Sequence, residues 1–216
     1  MPTLYGAAPS PFVRKVRVVL AEKNIPYEFD PVIPFNVSAE FKKLSPLGKI
    51  PAFRDGDRTL ADSSVISAYL ERTHPEPRLY PADPYEYARA LWFEEWADGG
   101  LVNITGPKIF MQRVLNPLFF QKPTDEGIVS KALNEELPPF LDYLEGELGK
   151  RKYLVGNALS IGDIGVASQF VNLRHAGVSV DTKRWPGVAA FVASIHERPS
   201  FRTLISEEAA QLGTKP

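Results

Sequence analysis

Ser10-Pro11-Phe12-Val13 joins two segments that read with different periods. Before it, Thr3-Leu4-Tyr5 is short, apolar and β-prone, and Gly6 closes it. After it, Phe12, Val16, Val19 and Leu20 fall at the i, i+4, i+7, i+8 spacing of one helix face. Serine is a favoured N-cap, and proline loses nothing at the first helical position, so the pair predicts a strand-to-helix turn capped by Ser10. A helix start presents unspent N–H groups and the positive end of the helix dipole. Ser10 therefore has two readings: a cap alone, or a cap whose hydroxyl also helps to hold an anion.

The same signals order the rest of the chain. Tyr27 to Val32 alternates as a second strand, and Ser38 caps a short helix over 39–44. Lys49-Ile50-Pro51-Ala52-Phe53 reads as a strand with Pro51 near its start, since proline cannot donate to a ladder. Asp55-Gly56-Asp57 makes a hairpin turn into Arg58-Thr59-Leu60. Asp62-Ser63-Ser64 opens a third helix with Val65, Ile66, Tyr69 and Leu70 on one face. Three prolines, Pro75, Pro77 and Pro81, then interrupt the chain, and all that follows is helical in pattern. A helix is expected from Tyr85 to about Leu115, with Ala88, Trp92 and Trp96 at i+4 steps. Leu133, Leu137, Phe140, Leu141, Leu144 and Leu148 form the cleanest stripe, although Pro138-Pro139 must kink or restart it. Leu159-Ser160-Ile161-Gly162-Asp163-Ile164 is a capping box with its hydrophobic staple, and a further helix runs from Trp185 to Glu197.

Composition removes several classes of chemistry. The chain of 216 residues has no cysteine, which excludes disulfides, thiolate metal sites and a thiol nucleophile of its own. His74, His175 and His196 lie far apart in sequence, so no metal is expected, and no G-x-S-x-G elbow occurs. A net charge of −1 gives no nucleic-acid footprint. No run of eighteen apolar residues occurs, and the opening Met-Pro-Thr-Leu-Tyr lacks a signal-peptide pattern, so a cytoplasmic protein away from membranes is expected.

Taken together, S-P-F-V-R-K-V, S-P-L-G-K-I-P, D-S-S-V-I-S-A-Y-L and V-G-N-A-L-S-I-G-D-I stand in an order that resembles the soluble glutathione transferases over essentially the whole chain. The resemblance implies an α/β thioredoxin-like N-terminal domain followed by an all-α helical C-terminal domain. The boundaries expected are residues 1–80 for glutathione binding, a linker at 81–85, and residues 86–216 for an electrophile. In redox members of the thioredoxin fold, cysteines occupy the turn that here reads Ser10-Pro11-Phe12-Val13. A hydroxyl in place of the thiol suits a substrate that brings its own sulfur, with Ser10 as donor to that sulfur. Tyr5 is the competing hydroxyl, because some branches of the family use a tyrosine near the first strand.

The resemblance also implies partners for the rest of the tripeptide. Ile50 would pair through its backbone with the glutathione cysteine, and the following Pro51 would be cis. Lys49 would meet the glycine carboxylate, Ser63 the γ-glutamyl carboxylate, and Asp62 the γ-glutamyl ammonium. Lys49 also reads as a plain solvated charge. Phe12 is the best candidate wall for the electrophile, with Phe110, Met111 and Phe119 as further candidates. Two departures stand out: Pro34-Phe35-Asn36-Val37 lacks the Lys or His that many members carry before the second helix, and Gly162 replaces the usual alanine of the capping motif.

The function expected is transfer of glutathione, as thiolate, to a small apolar electrophile. A glutathione-dependent isomerase, dehalogenase or peroxidase would use the same first domain, and a non-catalytic binding or assembly module could share the fold. A homodimer is also expected. Its sequence motive is a group of Arg72, Arg78 and Tyr80 near the linker, facing Glu94, Glu95 and Asp98 of the long helix.

Overall fold

The computed structural model describes residues 1–215, which divide into two units, Met1–Tyr80 and the remainder from Pro81. The first unit is built on four short strands, β1 (Thr3–Gly6), β2 (Glu28–Pro31), β3 (Ala52–Asp55) and β4 (Arg58–Ala61). Their order across the sheet is β2-β1-β3-β4. β1 and β2 run parallel, while β3 is antiparallel to both β1 and β4. Its helices are α1 (Pro11–Glu22), α2 (Ala39–Leu44) and α3 (Ser63–Thr73). Residues 49–51 fall outside the paired strand, which starts at Ala52, so the expected strand was three residues too long.

Strand alternation divides the unit's core between two faces. Leu4 and Phe53 pair across β1 and β3 and are at most 1% exposed, and Tyr69 of α3 stacks near the Phe53 ring. The next pair, Tyr5 and Ala52, points the other way and packs with Phe41 of α2. On α3, Ile66 and Leu70 are buried as the spacing predicts, but Val65 is 49% exposed. Helix α1 is enclosed almost all round: Arg14, Lys15 and Arg17 are buried along with its apolar residues. Lys23 at its end is tied to the proline run, donating to the carbonyls of His74 and Pro77 at 2.8 Å each and to Glu71 at 2.7 Å.

The second unit is helical, with α4 (Pro84–Glu95), α5 (Val102–Ile104), α6 (Asn116–Phe119), α7 (Glu126–Lys131), α8 (Pro138–Leu148), α9 (Ile161–His175), α10 (Pro186–His196) and α11 (Pro199–Leu212). Since α4 opens at Pro84 under the Asp83 cap, only residues 81–83 of the expected linker precede a helix. Three π-helical segments, Trp96–Leu101, Thr105–Leu115 and Ala132–Glu136, interrupt the longer rods. The last explains Pro138-Pro139. Leu137 donates to the Ala132 carbonyl at 2.8 Å, a five-residue step that widens the helix just before a proline ring would meet a carbonyl of the preceding turn.

The expected stripe on α4 is the outer one. Ala88 is exposed and Trp92 is 48% exposed, whereas Ala90, Phe93, Ala97 and Leu101 are buried. Trp92 instead donates its indole N–H to the Tyr143 hydroxyl at 2.7 Å, and Trp96 lies against Phe140 and Tyr143. The inner face packs on α9. A Cβ at Gly162 would come within 2.8 Å of the Ala90 carbonyl oxygen, so the departure from alanine follows from how closely α9 approaches α4. Asp163 closes the capping box, accepting from Leu154 N–H and from both Ser160 N–H and O–H.

Candidate functional site

The strand register brings the sequence motifs of the first unit to one end of its strands. Tyr5 pairs with Ala52, and Ala52 pairs with Ala61, so these three residues form a row. The chain leaves that row from β1 toward Ser10, enters it at β3 from Ile50-Pro51, and leaves it from β4 toward Asp62-Ser63. β1 and β4 are two strand spacings apart, about 10 Å, a span suited to a short extended peptide.

Each of these points carries polar groups that the fold leaves unspent. Ser10 caps α1 with extended backbone, and its oxygen accepts from Val13 N–H at a long 3.4 Å. Its O–H remains to donate. The fit at this turn is tight, because a Cβ on Gly6 would come within 2.5 Å of the Val13 side chain. The Ile50–Pro51 peptide is cis. Lys49 is exposed, and its carbonyl accepts from the Ser45 hydroxyl at 2.6 Å, which leaves the ammonium without a partner among the described residues.

At the start of α3, one oxygen of Asp62 accepts from the N–H groups of Ser64 and Val65, at 2.9 and 3.2 Å. Asp62 thus serves first as a helix cap. Its φ of 80° lies in the left-handed half of the map, where a non-glycine residue costs about 1–3 kcal/mol and is held by its surroundings. Ser63 is 2% exposed, and its hydroxyl makes no hydrogen bond among the described residues. Helix starts with free donors suit carboxylates and other anions.

The remaining sequence candidates are less alike. Tyr5 is 6% exposed and packs beneath α2 with the Arg54 guanidinium over its ring, as a packing residue would. Phe12 is half-buried at the start of α1. In the helical unit, Met111 is half-buried and Phe119 is 62% exposed. Phe110 is 5% exposed and offers almost no surface to a ligand. The dimer motive needs correction too: Glu94 is 1% exposed and Tyr80 is 6% exposed, both buried within the single chain and so unable to face a partner. Among the described residues there is no cluster of three or more His, Asp or Glu that could hold a metal, and no helix long and apolar enough to cross a membrane.

One contact escaped the sequence reading. Lys15, fully buried on α1, donates to the Ser64 hydroxyl at 2.9 Å. In sequence it belongs to the basic run Arg14-Lys15 and reads as a solvated face, so nothing in the pattern marks it.

Known proteins match both parts of the chain. Residues 4–78 match the family described as the glutathione S-transferase N-terminal domain, and residues 110–207 match the corresponding C-terminal domain. Glutathione S-transferase F13 of Arabidopsis thaliana is 33% identical over 208 residues, covering 92% of each chain. The crystal structure of a glutathione S-transferase from Rhodospirillum rubrum F11 superposes with a TM-score of 0.85 at 28% identity, covering 94% of this chain and 91% of that one. A glutathione S-transferase-I structure bound with lactoylglutathione has a TM-score of 0.84 at 28% identity, covering 95% and 98%.

Proposed function

The chain belongs to the glutathione S-transferase family, and from that premise we propose that it binds glutathione across the ends of β1, β3 and β4 and transfers it, as thiolate, to a small apolar electrophile. The observation that carries this reading is the Ser10 hydroxyl at the start of α1, its proton uncommitted. A thiol of pKa about 8.5 is mostly protonated near neutral pH, and lowering it by about two pH units takes roughly 3 kcal/mol. A charge-assisted hydrogen bond together with the helix dipole supplies about that much. Ser10 acts as a donor that holds the sulfur ionised, and the thiolate is the nucleophile.

The other groups bind the tripeptide. Ser63 with the first N–H groups of α3 takes the γ-glutamyl carboxylate, and the second Asp62 oxygen faces its ammonium. The Ile50 backbone meets the cysteinyl residue, and Lys49 takes the glycine carboxylate. Residues 1–80 are then the glutathione domain, and the helical part supplies the electrophile site, with Met111 as a wall. The protein works as a two-fold homodimer in the cytoplasm.

The test is to titrate protein-bound glutathione by its thiolate ultraviolet absorbance. Ser10→Ala should raise the apparent pKa toward that of free glutathione and lower the rate of aryl-halide conjugation in parallel. An unchanged pKa and rate in Ser10→Ala, with both lost in Tyr5→Phe, would move the role to Tyr5. Absence of glutathione binding by the unmodified protein would favour a binding or assembly role for the fold.

A further inference from the structure

We propose that Lys15 is a positioning residue for the γ-glutamyl end of the ligand, an inference that rests on the glutathione reading above. Lys15 has no exposed surface, and its ammonium donates to Ser64 Oγ at 2.9 Å. Ser64 is the second residue of α3, and its own N–H donates to Asp62 at 2.9 Å. It is therefore held twice, by the cap of its own helix and by a buried cation from α1. Beside it stands Ser63, whose free hydroxyl belongs to the subsite.

Two features make this tie more than packing. Asp62, immediately before Ser63, holds a φ of 80°, a conformation that relaxes unless its neighbours fix it. The Lys15–Ser64 bond fixes the residue two positions on. An ammonium is also costly to bury, so an apolar side chain would fill the same place between α1 and α3 more cheaply. What the lysine adds is a directed bond between the two helices whose first turns carry the donors. Ser10 begins one of them and Ser63 the other, so the bond sets the spacing from the sulfur end to the carboxylate end.

Three variants separate this role from simple stabilisation: Lys15→Met, Ser64→Ala, and Ser64→Thr, which keeps the hydroxyl. Each is assayed for kcat and KM with glutathione and with cysteinylglycine, which lacks the γ-glutamyl residue. Lys15→Met and Ser64→Ala should each raise KM for glutathione about tenfold, the scale of one lost bond to a charged group, with a much smaller change in kcat. Ser64→Thr should behave like the unmodified protein, and the double variant should be no weaker than Lys15→Met alone. With cysteinylglycine all variants should be equivalent. Equal losses for both thiols, an unaltered KM in Ser64→Ala, or losses that multiply in the double variant would overturn the assignment. Should Lys15→Met fail to fold, the contrast between Ser64→Ala and Ser64→Thr decides. An unmodified protein that binds no glutathione overturns the functional reading itself, and this inference with it.

Discussion

Replacing Asp163 by asparagine should remove a contribution to stability that grows as the pH falls from about 6. Asp163 has no exposed surface, and its carboxylate accepts three hydrogen bonds of 2.8 Å, from Leu154 N–H and from Ser160 N–H and O–H. Burial pushes its pKa up from 3.8 to about 6, and those bonds pull it back only in part. Between the two values the folded chain holds a proton on Asp163 that the unfolded chain has released. This contribution to stability is therefore fully present below pH 3.8 and is lost as the pH rises to about 6. The gap corresponds to roughly 3 kcal/mol. Asparagine does not titrate, and its NH₂ meets at least one donor where an acceptor is needed, at about 1–3 kcal/mol regardless of pH. The excess stability of the unmodified protein over Asp163→Asn should be largest near pH 4 and smaller by roughly 3 kcal/mol at pH 7. Urea unfolding followed by circular dichroism across this range, at fixed ionic strength, measures it. A difference that is flat, or that grows with pH, would show that Asp163 is an ordinary ionised cap and refute the reasoning.

Lys23→Met should cost about 3–5 kcal/mol, because it strips the half-buried Glu71 of its fully buried cation and leaves the carbonyls of His74 and Pro77 without their donor. A urea midpoint close to that of the unmodified protein would count against it. Gly162→Ala gains up to about 1 kcal/mol of helix propensity but places a methyl 2.8 Å from the Ala90 carbonyl. A net loss of about 1–2 kcal/mol is expected, and a rise in thermal midpoint would contradict the close α4–α9 approach. Sedimentation equilibrium at micromolar concentration should give a mass near 48 kDa, twice the 24.0 kDa chain. A fully active monomer would dispose of the dimer.

The parts of the fold legible in sequence are those governed by local chemistry. Ser10, Ser38 and Asp62 announce helix starts, because a short polar side chain before an apolar period has few other uses, and each caps the helix it opens. Of the candidate glutathione groups, Ser10, Asp62 and Ser63 sit on those starts, but their roles, like those of Lys49, Ile50 and Pro51, were implied by the family resemblance. What local pattern could not give was the inner side of the long rods. An i+4 step from Ala88 to Trp92 to Trp96 describes a helix face equally well whether it looks inward or outward. The buried face is the other one, Ala90, Phe93 and Ala97, which follows the same helical spacing and is set by what packs on it. The burial of Lys15 and Glu94 was illegible for another reason: a charged side chain reads as solvated until the elements that enclose it are known.

The two outer strands bear on how copies of this chain can meet. β2 is four residues long, three of them exposed, with Glu28 and Asp30 along it and Pro31, which has no N–H, at its end. β4 is equally short and starts with the exposed Arg58. Short, charged and proline-ended rims make poor templates for an incoming strand. The sheet is thus guarded on both sides against growing by edge addition, the usual route from a small mixed sheet to fibrous aggregates.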